Sequence, residues 1–157
     1  MTNKLSLTLY LILFLVFFSC KKENDIPDSI KFNTSTRLPI LSVQINGINA
    51  RLLLDTGATV SLIDSSTIRK YNFNIYSLPE ENMRLSGVGG TIYLYEARDV
   101  NVFFEGEPMN IKFKSANLRN LRYQLGIVGV IGTDYLNENK MVIDYKNKVL
   151  RKSTILD

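Results

Sequence analysis

The 157-residue sequence contains no histidine and only one cysteine. Without histidine the chain cannot form the Ser-His or Cys-His pairs that activate nucleophiles, and it cannot hold a His-ligated zinc ion. The single cysteine, Cys20, excludes a disulfide within the chain. Carboxylates are therefore the main remaining candidates for acid–base chemistry.

A concentrated positive charge is also missing. Lys and Arg number 19 against 15 acidic residues, and the basic residues are scattered among apolar ones. Nucleic-acid binding usually needs a basic patch or stripe, so we expect no nucleic-acid partner. With 45% hydrophobic residues, the chain can bury the core of one domain.

The N-terminal segment has no apolar run long enough for a typical membrane span. Lys4 precedes an apolar stretch from Leu5 to Phe18, which fits the positive and hydrophobic regions of a secretory signal. Ser19-Cys20 resembles the lipobox of bacterial lipoproteins, which implies that Cys20 is lipidated; the alternative is an unpaired structural thiol. We expect a signal peptide over residues 1–19, a lipidated cysteine and flexible tether over 20–30, and a folded domain over 31–157. The chain would then be an exported bacterial lipoprotein, anchored to a membrane on the periplasmic side or at the cell surface.

The domain sequence has the alternation of β-strands. Apolar residues alternate with polar ones on both sides of Asn46-Gly47, a strong signal for a two-residue hairpin. Asp64 to Ser66 could cap a short helix that ends near Asn72. Further strands are predicted over Met83–Gly90, Thr91–Phe104 and Pro108–Phe113, a short helix over Gly132–Asn137, and a closing hairpin from Met141–Tyr145 to Val149–Arg151. The sequence therefore predicts an all-β fold with one or two short helices.

The second strand of the first hairpin delivers an acid directly after three leucines, in Leu52-Leu53-Leu54-Asp55-Thr56-Gly57-Ala58. Asp and Gly are common turn residues, so an ordinary strand-ending turn is one interpretation. However, buried acids are rare unless they are paired or functional, and the flanking residues here are apolar. We therefore interpret Asp55 as a catalytic carboxylate.

This loop resembles the active-site loop of aspartic proteases, and Ala58 is most similar to the retroviral (retropepsin) branch. A second segment, Val130-Ile131-Gly132, is similar to the one that crosses beneath the catalytic loop in that family. The resemblance implies a closed, retropepsin-like β-sheet lobe. It also implies catalytic roles for Asp55, Thr56 and Gly57, with loop support from Ala58, Ile131 and Gly132.

Gly87-Val88-Gly89-Gly90 lies between two apolar strands and resembles the tip of the flap that closes over substrate in this family. A plain glycine-rich hairpin is the alternative. Two other acids are interpreted as structural: Asp134 as a helix-start residue and Asp144 as part of the closing hairpin, neither of them catalytic.

A single Asp-Thr-Gly sequence has consequences for assembly, because aspartic proteolysis needs two facing carboxylates. The resemblance therefore implies a homodimer with Asp55 and its copy on the two-fold axis. The implied activity is hydrolysis of a peptide or protein substrate, without a metal or an organic cofactor.

Two other classes of function remain open. One is a catalytically silent module that binds a peptide or protein in the same fold, since a fold does not guarantee an activity. The other is phosphotransfer through an aspartyl nucleophile. Such loops usually carry a second acid two residues after the first, where this chain has Gly57.

Overall fold

The predicted hairpin at Asn46-Gly47 stands at the centre of the fold. In the computed structural model, strand β2 (Ile40–Ile45) pairs antiparallel with β3 (Ile48–Leu54). Asn46 and Gly47 have φ angles of 48° and 80°. Positive φ at both central residues is what the tight primed turn of a hairpin requires, so the local sequence is sufficient to specify this element.

The structure describes residues 29–34, 37–87 and 90–153. Besides β2 and β3, the strands within these ranges are β1 (Ser29–Lys31), β4 (Leu62–Asp64), β5 (Asn74–Tyr76), β6 (Arg84–Gly87), β7 (Gly90–Tyr93), β8 (Tyr95–Arg98), β9 (Val102–Phe104), β10 (Glu107–Met109), β11 (Lys114–Ala116), β12 (Gly129–Ile131), β13 (Met141–Asp144) and β14 (Val149–Lys152). The α-helices are α1 (Ile68–Tyr71), α2 (Arg119–Leu125) and α3 (Thr133–Glu138), and single 3-10 turns cover Ser65–Thr67 and Glu80–Asn82.

Most strands join one large sheet with the order β10-β9-β2-β3-β12-β4-β11-β8-β5. Pairing is antiparallel except between β3 and β12 and between β4 and β11. The strands β1, β14 and β13 form a second sheet, and β6 pairs only with β7 as a separate hairpin.

The position of β12 explains how distant segments meet. This strand lies between β3 and β4, with Val130 opposite Leu53 on one side and Leu62 on the other. All three of its residues are buried, because the large sheet is covered on both faces at this point. As a result, the residues that follow β12 arrive directly beneath the end of β3, where Asp55 begins its loop.

Several predicted elements are confirmed. The short helical segment after Asp64 forms and ends at Asn72, whose φ is 51°. A helix follows Gly132, and β13 and β14 make the closing hairpin that contains Asp144.

Other predictions of elements were wrong. The strand expected over Pro108–Phe113 is shorter: β10 ends at Met109, and pairing resumes only at Lys114. The strand expected over Thr91–Phe104 is divided into β7, β8 and β9. Helix α2 was not predicted at all. Strand β1 begins at Ser29, inside the predicted tether, and Ile30 is fully buried against the rest of the core.

Residues 1–28, which include the predicted signal peptide and Cys20, lie outside the described residues. In the described ranges, no helix has both the length and the apolar character needed to span a bilayer.

Candidate active site

The Asp55 loop is a tight turn held by its own backbone. Strand β3 ends at Leu54, and the amide of Gly57 donates a hydrogen bond of 2.8 Å to the Asp55 carboxylate at Oδ1. The amide of Ala58 donates to the Asp55 carbonyl at 3.2 Å. A Cβ atom at Gly57 would lie 3.1 Å from the same carboxylate oxygen, so glycine gives this acid the room it needs. Asp55 is half-buried, while Thr56 and Gly57 are exposed.

The segment after β12 supports the loop from below. The Ile131 carbonyl accepts a hydrogen bond of 3.0 Å from the Asp55 amide, and the Thr133 amide donates to the Ala58 carbonyl at 2.8 Å. A Cβ atom at Gly132 would lie 2.7 Å from the carbonyl group of Val60. Only glycine permits this crossing without a backbone shift. Of the three residues predicted to support the loop, Ala58 thus lies within it, and Ile131 and Gly132 lie directly beneath it.

Asp134 has a structural position in this crossing. Its carboxylate accepts hydrogen bonds from the Ser61 amide at 2.8 Å and from the Ser61 hydroxyl at 2.7 Å. The same hydroxyl oxygen accepts a hydrogen bond of 3.0 Å from the Gly132 amide. Asp134 also lies in the first turn of α3, where an acid is favourable to the helix dipole. This carboxylate therefore joins the two ends of the loop region, a contact that the sequence interpretation of Asp134 did not include.

A cleft of about 380 Å³ opens above Asp55. The β6–β7 hairpin forms one side of it, through Gly87 and Gly90 at the tip and Leu85 and Ile92 on the strands. The residues that line this cleft are Asp55, Gly57, Ala58, Thr59, Leu62, Leu85, Ser86, Gly87, Gly90, Ile92, Leu118, Leu121 and Val130. Asp55 is the one carboxylate in this lining, within the part of the chain that the structure describes.

Only part of the predicted flap tip lies within the described residues. Gly87 and Gly90 end the two strands of the hairpin and face the same cleft as Asp55. Val88 and Gly89 lie outside the described residues. The structure therefore shows a hairpin with two of its four tip residues in the cleft lining, and its role as a flap stays a prediction.

Another part of the cleft wall was missed by the sequence interpretation. It is made by Leu118, the N-cap residue of α2, and Leu121, in the first turn of that helix. Apolar residues at 118, 121 and 125 have helical spacing, and Gly126 ends the helix with φ 65°. These were the signals available, but they extend over only two turns.

Buried Asp64 holds that wall in place. Its carboxylate is fully buried and accepts hydrogen bonds from the Leu118 amide at 3.2 Å and from Arg122 Nε at 3.0 Å. Ser66 donates to it twice, through its amide and its hydroxyl. Burial by itself would raise the pKa of Asp64, but the bonds from Ser66, Leu118 and Arg122 together hold it below its ordinary value. Asp64 is thus an ionised anchor for α2.

Asp144, the other acid interpreted in the sequence, makes its hydrogen bonds within the closing hairpin. It accepts hydrogen bonds from the amide and the side chain of Asn147, which lower the pKa of Asp144. Across the described residues, no group of three or more His, Cys, Asp or Glu side chains could hold a metal ion.

Comparison with known proteins agrees with this geometry. A family model described as aspartyl protease matches residues 41–135, which is well over half of the chain and includes both the Asp55 loop and the Gly132 crossing. Among curated proteins, none matches the chain.

Two solved structures show the same fold. EIAV protease complexed with the inhibitor HBY-793 is 21% identical and superposes with a TM-score of 0.51, over 68% of this chain and 91% of that one. The retroviral protease-like domain of Ddi1 from Leishmania major is 20% identical with a TM-score of 0.51, over 75% of this chain and 90% of that one. At these identities the likeness concerns the fold alone, and the predicted retropepsin-like all-β architecture is confirmed. Given the match of the family model over residues 41–135, the chain belongs to the aspartyl protease family.

Proposed function

We propose that this chain is an aspartic endopeptidase that hydrolyses peptide bonds as a homodimer. The observation that carries the proposal is the position of Asp55, half-buried at the floor of an apolar cleft, beneath a hairpin that can cover a bound peptide. Thr56 and Gly57 beside it are exposed, so the loop is open to contact by another chain.

The second carboxylate must come from a second copy, because Asp55 is the one acid in the cleft lining of the described chain. Two identical loops can meet on a two-fold axis, where like residues face each other. Close carboxylates do not both ionise readily, so the pair shares one proton and supplies a base and an acid together.

The reaction then follows from these two protonation states. The ionised Asp55 takes a proton from a water molecule as the water oxygen attacks the peptide carbonyl carbon. The protonated Asp55 of the partner subunit donates its proton to the carbonyl oxygen, which gives a neutral tetrahedral diol. As the C–N bond breaks, Asp55 gives the proton it took from water to the amine nitrogen, and the partner's Asp55 takes a proton from a diol hydroxyl. A carboxylic acid and an amine leave, and both carboxyl groups regain their starting protonation states.

The cleft also favours this chemistry through its apolar walls. Leu62, Leu85, Ile92 and Leu121 line the same cleft as Asp55, and such apolar walls would exclude water once a substrate is bound. Electrostatic and hydrogen-bond effects on the developing charges are stronger in such an environment than in bulk water.

The test is cleavage of a mixed peptide library by the soluble domain, compared with its Asp55→Asn variant. Asn keeps the size of the side chain but can neither ionise nor share a proton, so we expect the products to disappear while the melting temperature stays the same. Peptides that bind to both proteins but are cut by neither would instead indicate a silent binding module. Cleavage by both proteins would show that Asp55 is not the reacting group.

We also propose that the chain is exported and anchored to a membrane through lipid on Cys20. The support is the sequence from Lys4 to Cys20, which combines a positive start, an apolar stretch and the lone cysteine at its end. Fractionation of cells that express Cys20→Ser checks this, because the variant should leave the membrane fraction and retain full activity in the released form. Retention of the variant in that fraction would contradict lipid anchoring.

A further inference from the structure

A second concavity is larger than the Asp55 cleft. It is a groove of about 890 Å³, and none of its lining residues lines the cleft. Its floor comes from β2 and β3 and its sides from α1, α2 and the β9–β10 turn. We call it the basic groove, because the charged side chains that line it are Arg51, Lys70 and Arg122 against one acid, Glu105.

Among these charged side chains, Arg51 is the one whose charge the neighbouring residues do least to balance. It is half-buried on β3, and its guanidinium makes no hydrogen bond or ion pair within the described residues. Arg122 is neutralised by Asp64, and Lys70 lies 4.9 Å from the centre of the Tyr71 ring. A half-buried cation without a counter-charge is costly, so Arg51 points to an anionic ligand that supplies the missing partner.

The backbone at the end of α2 leaves space for the Arg51 guanidinium. A Cβ atom at Gly126 would lie 3.1 Å from Arg51 Nη1, so the arginine packs directly against the end of α2. Glycine at this position therefore leaves space for the guanidinium beside the helix end. The planar fork of donors of a guanidinium suits a carboxylate, which can accept two parallel hydrogen bonds.

Helix α2 separates the basic groove from the cleft. Leu118 and Leu121 line the cleft, whereas Arg122 and Gly126 line the groove. Arg51 lies on β3, four residues before Asp55, which corresponds to about 13 Å along an extended chain. An extended substrate covers the same distance in about four residues, so a residue about four positions from the scissile bond is far enough from Asp55 to contact the groove.

We propose that the basic groove is an exosite for an acidic segment of a polypeptide substrate. The proposal rests on the function proposed above and names the class of substrate. Ser42, Gln44 and Asn49 add neutral polar groups to the lining, which suits a polypeptide backbone. Glu105 would repel the continuous charge of a nucleic acid or an anionic membrane, so a peptide with a few carboxylates is the better fit.

A binding experiment that needs no catalysis tests the site. The Asp55→Asn chain is titrated with a labelled peptide that carries a run of glutamates, and with matched peptides in which glutamine or lysine replaces them. We expect the glutamate peptide to bind best, with an affinity that falls as salt is added. Arg51→Ala should raise its Kd about tenfold, the loss of roughly one charge-assisted contact. Arg51→Lys should lose less, and Arg69→Ala, beside Lys70 but outside the groove lining, should bind as the parent does.

A kinetic experiment links the groove to the cleft. Adding glutamates about four residues from the scissile bond of a good substrate should lower KM in the parent and have little effect in Arg51→Ala, with kcat similar in both. Equal binding of all three peptides, or an unchanged Kd in Arg51→Ala with an unchanged melting temperature, would overturn the exosite. Tighter binding of RNA, anionic vesicles or inorganic phosphate than of the glutamate peptide would also overturn it. If the glutamate peptide binds through Arg51 but no peptide is ever cleaved, the proposed protease function fails while the acidic-peptide site stands.

Discussion

At the scale of single residues, Asp64 is a fully buried carboxylate with four hydrogen-bond donors, two from Ser66 and one each from Leu118 and Arg122. Such a group stabilises the fold only while it is ionised and satisfied, because an unpaired buried charge is expensive. Since Leu118 belongs to the cleft wall, the state of Asp64 affects both stability and the site.

Arg122→Met should therefore destabilise the domain. The change removes one charged donor from Asp64, and because the Arg122 side chain is 31% exposed we expect a loss of only about 1–2 kcal/mol in the free energy of unfolding. Arg119→Met on the same helix is the matched control, since Arg119 is exposed. Urea unfolding of the three proteins measures the difference, and equal midpoints would contradict the anchoring role of the pair.

The lowered pKa of Asp64 also predicts a dependence of stability on pH. A group whose pKa is lower in the folded state contributes stability that is fully present above its ordinary pKa, 3.8 for this carboxyl, and is lost as the pH falls through the folded value. Unfolding at a series of pH values from neutral to strongly acidic should show this loss in the parent. In Asp64→Asn the domain should be weaker at neutral pH and its acid dependence flatter. An identical pH profile would show that Asp64 is not ionised in the fold.

Tyr135 presents the opposite case, a buried polar group without a partner. Its hydroxyl makes no hydrogen bond in the described chain, and burial raises the pKa of Tyr135 to about 12. Because the pKa of Tyr135 is higher in the folded state, the domain keeps its full stability below the unfolded tyrosine pKa of about 10. It loses stability as the pH rises from there towards the folded value. Tyr135→Phe should accordingly leave stability unchanged or improve it at neutral pH, by up to about 1–2 kcal/mol, and improve it more above pH 10.

The matched control for Tyr135 is Tyr71→Phe. Tyr71 is equally buried, but its hydroxyl donates a part-buried hydrogen bond of 3.3 Å to the Asn49 carbonyl, which the Phe variant would lose. Thermal melting should place the Tyr71 variant below the parent and the Tyr135 variant at or above it. The reverse order would mean that the Tyr135 hydroxyl has a partner.

At the scale of elements, the β6–β7 hairpin is tied to the rest of the molecule less than any strand of the large sheet, since it pairs only with itself. Gly90, at the tip of this hairpin, has a φ angle of 103°, a conformation that valine adopts only with strain of about 1–3 kcal/mol. Gly90→Val should therefore disturb the hairpin locally and reduce kcat/KM, while the core and its melting temperature change little. Gly47→Val, with φ 80° in a turn outside the cleft lining, is the control for strain. If both variants lose stability alike and neither loses activity, the hairpin is not a flap.

The elements that the sequence predicted are those specified by adjacent residues. The residues Asn46 and Gly47 are sufficient to specify the turn geometry, and the Asn46 side chain also donates hydrogen bonds to the Tyr71 and Asp99 carbonyls. Helix α2 escaped prediction because its seven residues are stabilised from outside, by Asp64 more than fifty positions earlier. A local sequence pattern cannot indicate such a long-range contact.

The same distinction holds in the site. The Asp55 loop and the Gly132 crossing could be predicted because each is a short motif whose glycine meets nearby backbone or carboxylate atoms. The walls of the cleft could not, since Leu85, Ile92 and Leu121 resemble any other core leucine or isoleucine in sequence. Only the folding of the sheet brings them to one side of Asp55.

At the scale of the whole molecule, the proposed function makes the described chain half of a catalytic pair, so activity should belong to the dimer and not to the single chain. A lone Asp55 has no neighbour with which to share a proton and cannot act as acid and base together. Specific activity should then fall on dilution, in parallel with the dimer fraction measured by analytical ultracentrifugation. The dilution must span the dissociation constant for the effect to be seen.

Mixing experiments separate this mechanism from a simple effect of concentration. When parent chains and Asp55→Asn chains are mixed in equal amounts and exchange freely, about a quarter of all dimers retain both carboxylates, by random pairing on the two-fold axis. Activity per parent chain should therefore fall to about half at a total concentration where all chains are paired, because mixed dimers hold one carboxylate and are silent. Adding the same amount of an inactive chain that cannot dimerise should have no effect. A chain that remains monomeric at every concentration yet cleaves peptides at constant specific activity would require a second acid from elsewhere in this same chain.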